Sequence, residues 1–318
     1  MKQPFFSVII PLFNKEKFIV ATVKSVLNQS YQDFEIIIIE DCSTDNSKAI
    51  IQGIHSEKIQ IVEHAKNSGL SASRNTGIHH SNADYSVFLD ADDILKTDYL
   101  KKIHSLILGF PEATLFATNY EEIYTQNTSI PPTQNIQNTG DGIVFNYFES
   151  SLYQPIYIPS SLCVKKTVFD KIGYFDTKIT YGEDVDFNIR SNCHYKLAYS
   201  PEILVQQIKF DKNQITNSSL KGKTIPDFDS YEPLINTTKY LKKYLDINRY
   251  MMASNYKKQG DLIHYRKLKN SIHPNAAISG LNYKQRLLLH SPSFFLQLFS
   301  KLKLFLLRKG IVCTTFSN

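Results

Sequence analysis

Four consecutive isoleucines at residues 36–39 constrain the fold more than any other feature of the sequence. They belong to a strand-like segment over residues 34–39 that ends abruptly in Glu40 and Asp41. A strand that is apolar on both faces is typical of a parallel sheet with helices packed on both sides, whereas a half-exposed antiparallel strand alternates apolar and polar residues. We therefore expect this run to be an interior strand with acids at its carboxyl end.

Strand-like and helix-like segments alternate over the first hundred residues. Strands are predicted at residues 5–12, 34–39, 59–63 and 85–89, and helices at residues 19–27, 44–56 and 72–81. This alternation predicts an α/β fold with an open, mostly parallel central sheet flanked by helices. A length of 318 residues fits one large domain with an appendage, or two modest domains.

The carboxyl ends of the predicted strands carry Asn14, Asp41, Asp90 and Asp92. In open α/β sheets, ligands bind in the crevice outside these strand ends. We therefore expect residues that are distant in sequence to meet along one edge of the sheet.

The cluster Asp90-Ala91-Asp92-Asp93 is a candidate metal site with no His or Cys beside it in sequence. Its carboxylate oxygens are hard ligands suited to Mg²⁺ or Mn²⁺ rather than Zn²⁺. Aspartates also commonly end a strand and cap the next helix, so the cluster alone leaves both interpretations open. Because the chain has no glycine-rich phosphate loop of the P-loop or G-x-G-x-x-G type, a metal would have to take over phosphate binding.

The net charge of +6 comes entirely from residues 281–318, which carry six Lys or Arg and no acid. The rest of the chain is formally neutral, which argues against a nucleic-acid-binding surface on the main domain. The four cysteines are scattered without a C-x-x-C pair, so neither disulfides nor a thiolate metal site is expected, and a reducing cytoplasm fits best. We identify no signal peptide and no transmembrane stretch of about 18 apolar residues.

Six motifs in order make the chain similar to the family 2 glycosyltransferases, whose catalytic domain has the GT-A fold. The motifs lie at residues 7–14, 25–35, 40–45, 67–75, 88–93 and 169–187. The resemblance covers roughly residues 5–205 and departs from the family pattern at Cys42, where Gly is commoner.

The resemblance implies a GT-A-like catalytic domain over residues 1–215, followed by an extension over residues 216–318. The donor half would cover residues 1–115 and the acceptor half residues 116–215. The extension would consist of a variable loop and a basic helical region. Polar residues over 125–142 predict a long mobile loop, and those over 211–230 predict a second loop or lid.

The donor nucleotide would be bound at the first two strand ends. The resemblance implies that Asp41 hydrogen-bonds the base, most often uracil, while Pro11, Phe13 and Asn14 line its pocket. Arg74 would support the pyrophosphate or orient the aspartates, although a helix-surface or structural ion-pair role is also open.

The metal and the catalytic base would come from the two acidic motifs. The resemblance implies that Asp92 coordinates Mn²⁺ or Mg²⁺ and that Asp90 contacts the ribose or the same metal. Asp184 would act as general base on the acceptor hydroxyl, and Glu183 would position it or bind acceptor hydroxyls. The pair Glu183-Asp184 also fits a plain helix N-terminus, where acids interact favourably with the helix dipole.

The leading hypothesis is an inverting transfer of a sugar from a nucleotide-sugar, most often a UDP-sugar, to a glycan or lipid-linked acceptor in bacterial surface-polysaccharide synthesis. A sugar-nucleotide nucleotidyltransferase is an alternative, but it would need a glycine-rich basic loop where the chain has Asn14, Lys15 and Glu16. A catalytically silent sugar-binding homologue is a third.

The C-terminal region combines basic and apolar residues. Residues 262–318 carry nine Lys or Arg and no acid, and apolar residues recur at helical spacing over residues 294–307. Such a helix can lie in the headgroup region of an anionic membrane. Because Leu296, Leu304 and Leu307 lie off the stripe, packing on the protein or a subunit contact remains open. The expected location is the cytoplasm, peripheral on the inner face of the cell membrane.

Overall fold

A computed structural model describes residues 3–136, 140–210 and 219–312. The chain divides into two compact units. The first unit comprises Met1–Glu122, Gln137–Phe145 and Tyr157–Ile208, and the second comprises Ile123–Ile136, Asn146–Ile156 and Lys209–Asn318.

The strands are β1 Phe6–Leu12, β2 Phe34–Glu40, β3 Ile59–Glu63, β4 Tyr85–Phe88, β5 Ile94–Leu95, β6 Leu115–Thr125, β7 Thr128–Ile130, β8 Gly142–Ile143, β9 Leu162–Lys165 and β10 Leu197–Ile208. The helices of the first unit are α1 Ile19–Leu27, α2 Ser47–Gln52, α3 Leu70–His80, α4 Tyr99–Gly109, α6 Thr167–Ile172 and α7 Glu183–Asn192. Those of the second unit are α5 Tyr147–Ser150, α8 Leu241–Lys258, α9 Leu262–Ser271, α10 Ala276–Ser279, α11 Tyr283–His290 and α12 Ser293–Arg308. Short 3₁₀ helices cover Pro159–Ser161 and Phe228–Leu234.

The central sheet has the strand order β3-β2-β1-β4-β9-β6-β10-β5. The first four strands are parallel, with Ile9 of β1 lying opposite Ile37 of β2 and Phe88 of β4. Strand β9 then runs antiparallel to both β4 and β6. The predicted α/β fold with flanking helices is therefore confirmed. The sheet is mixed, because only β1 to β4, which belong to the region of alternating strands and helices, are parallel to one another.

The four isoleucines at residues 36–39 are fully buried, as the apolar run predicted. Strand β1, which lies between β2 and β4, is buried along its whole length. Burying one such side chain completely contributes about 1.5–3 kcal/mol. These interior strands therefore form a rigid base, and only the residues that follow their carboxyl ends are free to bind ligands.

Helix α3 packs unusually close to β1 at Gly77. A Cβ atom built on Gly77 would lie 2.2 Å from Cγ2 of the Ile9 side chain, which is itself fully buried. Only a residue without a side chain fits this contact. The close approach fixes the position of α3, and therefore of the residues on its first two turns, relative to the end of β1.

In the second unit, α8 is in contact with α5, α9, α10, α11 and α12. The buried Arg249 of α8 binds the carboxylates of Asp246, Asp229 and Glu232 at 2.8, 2.7 and 2.6 Å. The described residues of the C-terminal extension, 219–312, are thus largely helical, as predicted. Within the described residues, no helix combines the length and the apolar character needed to cross a membrane.

The prediction of a long loop over residues 125–142 was wrong in part, because these residues contain β7, which pairs with β6. Strand β7 has only three residues, Thr128, Ser129 and Ile130, and this is too short a pattern to predict a strand within a polar segment. In the second predicted loop, residues 211–218 lie outside the described residues, and a 3₁₀ helix begins at Phe228.

We expect Gly77→Ala to lower the free energy of unfolding by about 1–3 kcal/mol, because the added methyl group must displace Ile9 or move α3. Gly109→Ala in α4 is the matched control, since a Cβ there meets nothing within 4 Å. This control should leave stability unchanged or raise it by up to about 1 kcal/mol. Urea unfolding followed by circular dichroism measures both, and equal stability of the two variants would show that the close approach carries no energetic weight.

Candidate active site

The structure brings the ends of β1, β2 and β4 together at one edge of the sheet. Asn14 Oδ1 accepts hydrogen bonds from the Thr44 backbone N–H at 2.7 Å and the Thr44 hydroxyl at 3.2 Å. Asn14 has a left-handed backbone (φ 54°) that turns the chain toward Thr44. Pro11 is buried within β1, whereas Phe13 is 42% exposed at the strand end. Phe13 is thus accessible to a ligand, and Asn14 shapes the turn.

The Asp41 carboxylate organises the loop that leads into α3. It accepts hydrogen bonds from the backbone N–H groups of Ser68 and Gly69 at 2.7 and 2.8 Å. His64 Nδ1 lies 2.7 Å from Oδ1 of Asp41, and His64 Nε2 lies 2.9 Å from the Thr76 hydroxyl. A carboxylate has about four lone-pair sites, so Asp41 retains capacity to accept a further hydrogen bond. The sequence analysis did not connect His64 with Asp41.

Cys42 occupies the position that the family pattern usually gives to glycine, and its φ of 60° is left-handed. The Glu40 carboxylate holds this turn by accepting from the backbone N–H groups of Cys42 and Ser43 at 3.2 and 2.6 Å. A left-handed backbone costs a residue with a side chain about 1–2 kcal/mol. The turn therefore has the conformation that glycine would favour, and the backbone of Cys42 is strained.

Arg74, in α3, forms a buried bridge between the two acidic motifs. Its guanidinium donates to Glu183 Oε1 at 2.8 Å and to Asp90 Oδ1 at 2.9 Å, and it lies 5.2 Å from the centre of the Phe175 ring. Burial alone would lower the pKa of Arg74, but Asp90, Glu183 and Asp184 raise it above its usual value. Of the roles left open for Arg74, the structure therefore shows an ion pair that orients acids rather than a position on the helix surface.

Asp93 and Ser160 form a second buried link that sequence reasoning missed. The Ser160 hydroxyl donates to Asp93 Oδ2 at 2.5 Å and accepts from the Asp90 backbone N–H at 3.1 Å. The Ile208 backbone N–H donates to Asp93 Oδ1 at 3.0 Å. Burial, with the nearby Asp92 and Asp90, raises the pKa of Asp93 well above its usual range. The Ser160 hydroxyl thus holds the loop that carries Asp90 and Asp93 from a 3₁₀ helix 70 residues further along the chain. No pattern near Ser160 in the sequence indicates these contacts.

Glu183 and Asp184 occupy the first turn of α7, which follows Gly182 in a left-handed conformation. The structure thus shows the helix N-terminus that the sequence allowed. Burial raises the pKa of Asp184 to about 6, helped by Glu183 and, more weakly, by Asp90, while Arg74 acts in the opposite direction. Asp184 is therefore a partly buried carboxyl that is ionised at neutral pH and is a stronger proton acceptor than an ordinary aspartate.

Lys15, which the sequence analysis did not assign to the site, forms an ion pair with Asp92, the candidate metal ligand. Its Nζ lies 2.7 Å from Asp92 Oδ2, and the two side chains are only 13% and 10% exposed. The signal that could have found Lys15 is its place directly after Asn14, at the carboxyl end of β1.

The two acidic motifs and their cationic partners comprise five carboxyl groups and two cationic side chains, namely Asp90, Asp92, Asp93, Glu183 and Asp184 with Arg74 and Lys15. Within the described part of the chain, no three His, Cys, Asp or Glu residues form a ready metal cage. Mg²⁺ and Mn²⁺ commonly bind through one or two carboxylates and complete their shell with water and substrate phosphates. Asp90 and Asp92, with their excess negative charge, fit a cation bound in this way.

Comparison with solved structures places the chain among known folds. The structure resembles that of residues 1–349 of TarS from S. aureus in complex with UDP-GlcNAc, with a TM-score of 0.68 and 17% sequence identity. The likeness covers 96% of this chain and 92% of that one. The GT-A-like fold expected from the motifs is therefore confirmed.

Two curated relatives are each similar to about a third of the chain. A putative teichuronic acid biosynthesis glycosyltransferase, TuaG of Bacillus subtilis, is 41% identical over 102 residues, which is 31% of this chain and 40% of that protein. An uncharacterized glycosyltransferase of Haemophilus influenzae is 39% identical over 104 residues, which is 32% of this chain and 42% of that protein. Each match thus spans about two fifths of the relative's length.

The model of the family described as glycosyl transferase family 2 matches residues 7–173. This match covers more than half of the chain and includes the turn after β2, the Arg74 helix and the aspartates after β4. The chain therefore belongs to glycosyl transferase family 2.

Proposed function

We propose that this protein is an inverting glycosyltransferase that moves a sugar from a nucleotide-sugar, with UDP as the nucleotide, to a hydroxyl of a glycan or lipid-linked acceptor. The solved relative that contains UDP-GlcNAc supports a UDP-sugar donor. The name of the Bacillus relative supports a role in the synthesis of a cell-surface polysaccharide. A nucleotidyltransferase activity and a silent sugar-binding role have no such support.

One observation carries the proposal: a single buried guanidinium binds one acid of the 88–93 motif and one acid of the 169–187 motif. Arg74 binds Asp90 on the donor side and Glu183 on the acceptor side. Because the two contacts are 2.9 and 2.8 Å long, the donor acids and Asp184 are held at a fixed separation. Transfer between two bound substrates needs this kind of fixed positioning.

The donor would be held by its nucleotide and its diphosphate. Asp41 would accept a hydrogen bond from the base, and Pro11, Phe13 and Asn14 would form the wall beside it. Asp92, with Asp90, would hold Mn²⁺ or Mg²⁺, which supplies positive charge to the diphosphate as it leaves. Asp90 is 30% exposed and already accepts from Arg74 through one oxygen, so the other oxygen is available to the metal or the ribose.

The acceptor would be activated by Asp184. A base with a pKa of about 6 is ionised at pH 7 and accepts a proton in the transition state more readily than an aspartate with a pKa near 4. Attack on the side of the sugar opposite to the diphosphate inverts the anomeric centre in one step. Glu183 is held by Arg74, so its proposed part is to position Asp184.

A donor screen tests the proposed reaction. Purified protein is incubated with UDP-, GDP- and TDP-sugars, with and without Mn²⁺, and released nucleotide is measured. We expect slow hydrolysis of one or more UDP-sugars that depends on Mn²⁺ and is reduced by EDTA. Neither turnover nor binding of any donor in the presence of metal would contradict the proposal.

We expect Asp184→Asn to lower transfer by about 10²–10⁴-fold while leaving UDP binding intact, because only proton removal is lost. In the unchanged protein, kcat/KM should fall about tenfold per pH unit below pH 6, since the raised pKa of Asp184 places its protonation there. The Asp184→Asn variant should not show this fall of kcat/KM below pH 6. Asp170→Asn, an exposed acid on α6, is the control. An Asn variant with full activity would remove Asp184 as the base.

We also propose that the protein docks peripherally on the cytoplasmic face of an anionic membrane through α12. The helix buries Leu296 and Leu307. The stripe predicted from the sequence consists of Phe295, Leu298, Phe299, Leu302, Phe305 and Leu306. Four of these residues, Phe295, Leu298, Leu302 and Phe305, are 52–58% exposed, whereas Phe299 and Leu306 are half-buried. The lack of any acid after Asp261 makes the charge of this region complementary to anionic lipid rather than to a second copy of the same basic segment.

Replacing Leu298, Leu302 and Phe305 together by Ser should reduce binding to vesicles containing phosphatidylglycerol by at least about tenfold, because each side chain contributes on the order of 1.5 kcal/mol when buried in lipid. Leu108→Ser, which changes an equally exposed apolar residue in α4, should leave binding unchanged. Vesicle co-sedimentation measures both. Unaltered sedimentation of the triple variant would reject membrane docking, and a change in oligomeric state by light scattering would assign the stripe to a subunit contact.

A further inference from the structure

The ion pair between Lys15 and Asp92 places a cation of the protein on the aspartate that is proposed to bind the metal. The two charged atoms are 2.7 Å apart and both side chains are largely buried. The backbone of Lys15 is anchored, because its N–H donates to the Ser47 hydroxyl at 2.8 Å and its carbonyl accepts from Phe18 and Ile19 at 2.9 and 3.0 Å. Any movement of the ammonium group must therefore come from rotation of the side chain.

Lys15 and a divalent cation cannot share Asp92 without cost. Mg²⁺ or Mn²⁺ binds a carboxylate oxygen at about 2.1 Å, which would place two positive charges within a few ångströms of each other. Charges at such distances interact strongly where water is largely excluded. The pair must open, or a group of negative charge must lie beside both cations.

The diphosphate of the donor is such a group. Lys15 directly follows Asn14, at the strand end that is proposed to bind the nucleotide, and its side chain reaches from there to Asp92. A lysine ammonium binds phosphate oxygens as a point charge with three rotatable donors. The donor thus offers Lys15 an anionic partner besides Asp92.

We propose that Lys15 makes metal binding at Asp92 depend on the donor. In the donor-free protein, Lys15 neutralises Asp92 and lowers its affinity for a divalent cation. When the diphosphate is bound, Lys15 releases Asp92 and donates to a phosphate oxygen. This inference rests on the proposed function and adds a positioning residue to it. Because coupling between two ligands is reciprocal, the donor and the metal should each strengthen the binding of the other.

The surrounding charges favour such an arrangement. Asp90 and Asp93 lie close to Asp92 in sequence, and Asp93 is only 2% exposed. Without Lys15, Asp92 would lose a cationic partner next to two other acids. A variant that lacks the ammonium should therefore attract a divalent cation more strongly, even when no donor is present.

Mn²⁺ binding by the full-length protein tests the inference, with free Mn²⁺ measured by electron paramagnetic resonance in the absence and presence of UDP. Lys15→Met keeps the aliphatic length and removes the charge. Lys17→Met is the matched control, because Lys17 lies on the same turn and is exposed. Thermal unfolding of each variant shows whether it is folded.

We expect Lys15→Met to bind Mn²⁺ alone about tenfold more tightly than the unchanged protein, and UDP to improve its Mn²⁺ affinity by a correspondingly smaller factor. Lys17→Met should behave like the unchanged protein. Equal Mn²⁺ affinities for all three proteins, with normal enhancement by UDP, would overturn the role of Lys15 and leave the proposed function standing. Failure of all three to bind Mn²⁺, with or without UDP, would reject the metal site and the inference together.

Discussion

The active-site edge of this protein depends on one buried guanidinium. Arg74 is 1% exposed and carries a full positive charge, which is tolerated because Asp90 and Glu183 bind it directly. Removing one partner of such a buried pair typically costs about 3–5 kcal/mol, since a charge is left uncompensated. Arg74 therefore holds the loop after β4 and the first turn of α7 in one arrangement, and Asp184 takes its position from that turn.

The position of Arg74 depends in turn on backbone packing rather than on electrostatics. Gly77 lies one turn further along α3 and lets the helix approach Ile9 closely. The buried strands β1 and β2 supply the rigid surface for this contact. An apolar packing feature of the sheet thus sets the distance between charged groups at its edge, and the chemistry of the site rests on the hydrophobic core.

The same edge holds more negative charge than the protein neutralises, which has two consequences. Burial and neighbouring acids raise the pKa of Asp184 to about 6, a value suited to a base at neutral pH. Asp92 is paired with Lys15 at the place where the anionic donor is proposed to enter. The proposed divalent cation would then arrive with the diphosphate and would need only two carboxylates as protein ligands.

The sequence by itself determined the alternation of strands and helices, the buried isoleucine strand and the placement of Asn14, Asp41 and Asp90 after strand ends, because apolar periodicity and strand termini are local properties. Tertiary structure alone decided the contacts of Lys15 with Asp92 and of Ser160 with Asp93, which join residues 77 and 67 positions apart. Such contacts depend on strand order and register, which no local pattern encodes. Likewise, periodicity revealed the apolar stripe of α12, but only packing decided that Leu296 and Leu307 are covered while four of the six stripe residues stay exposed.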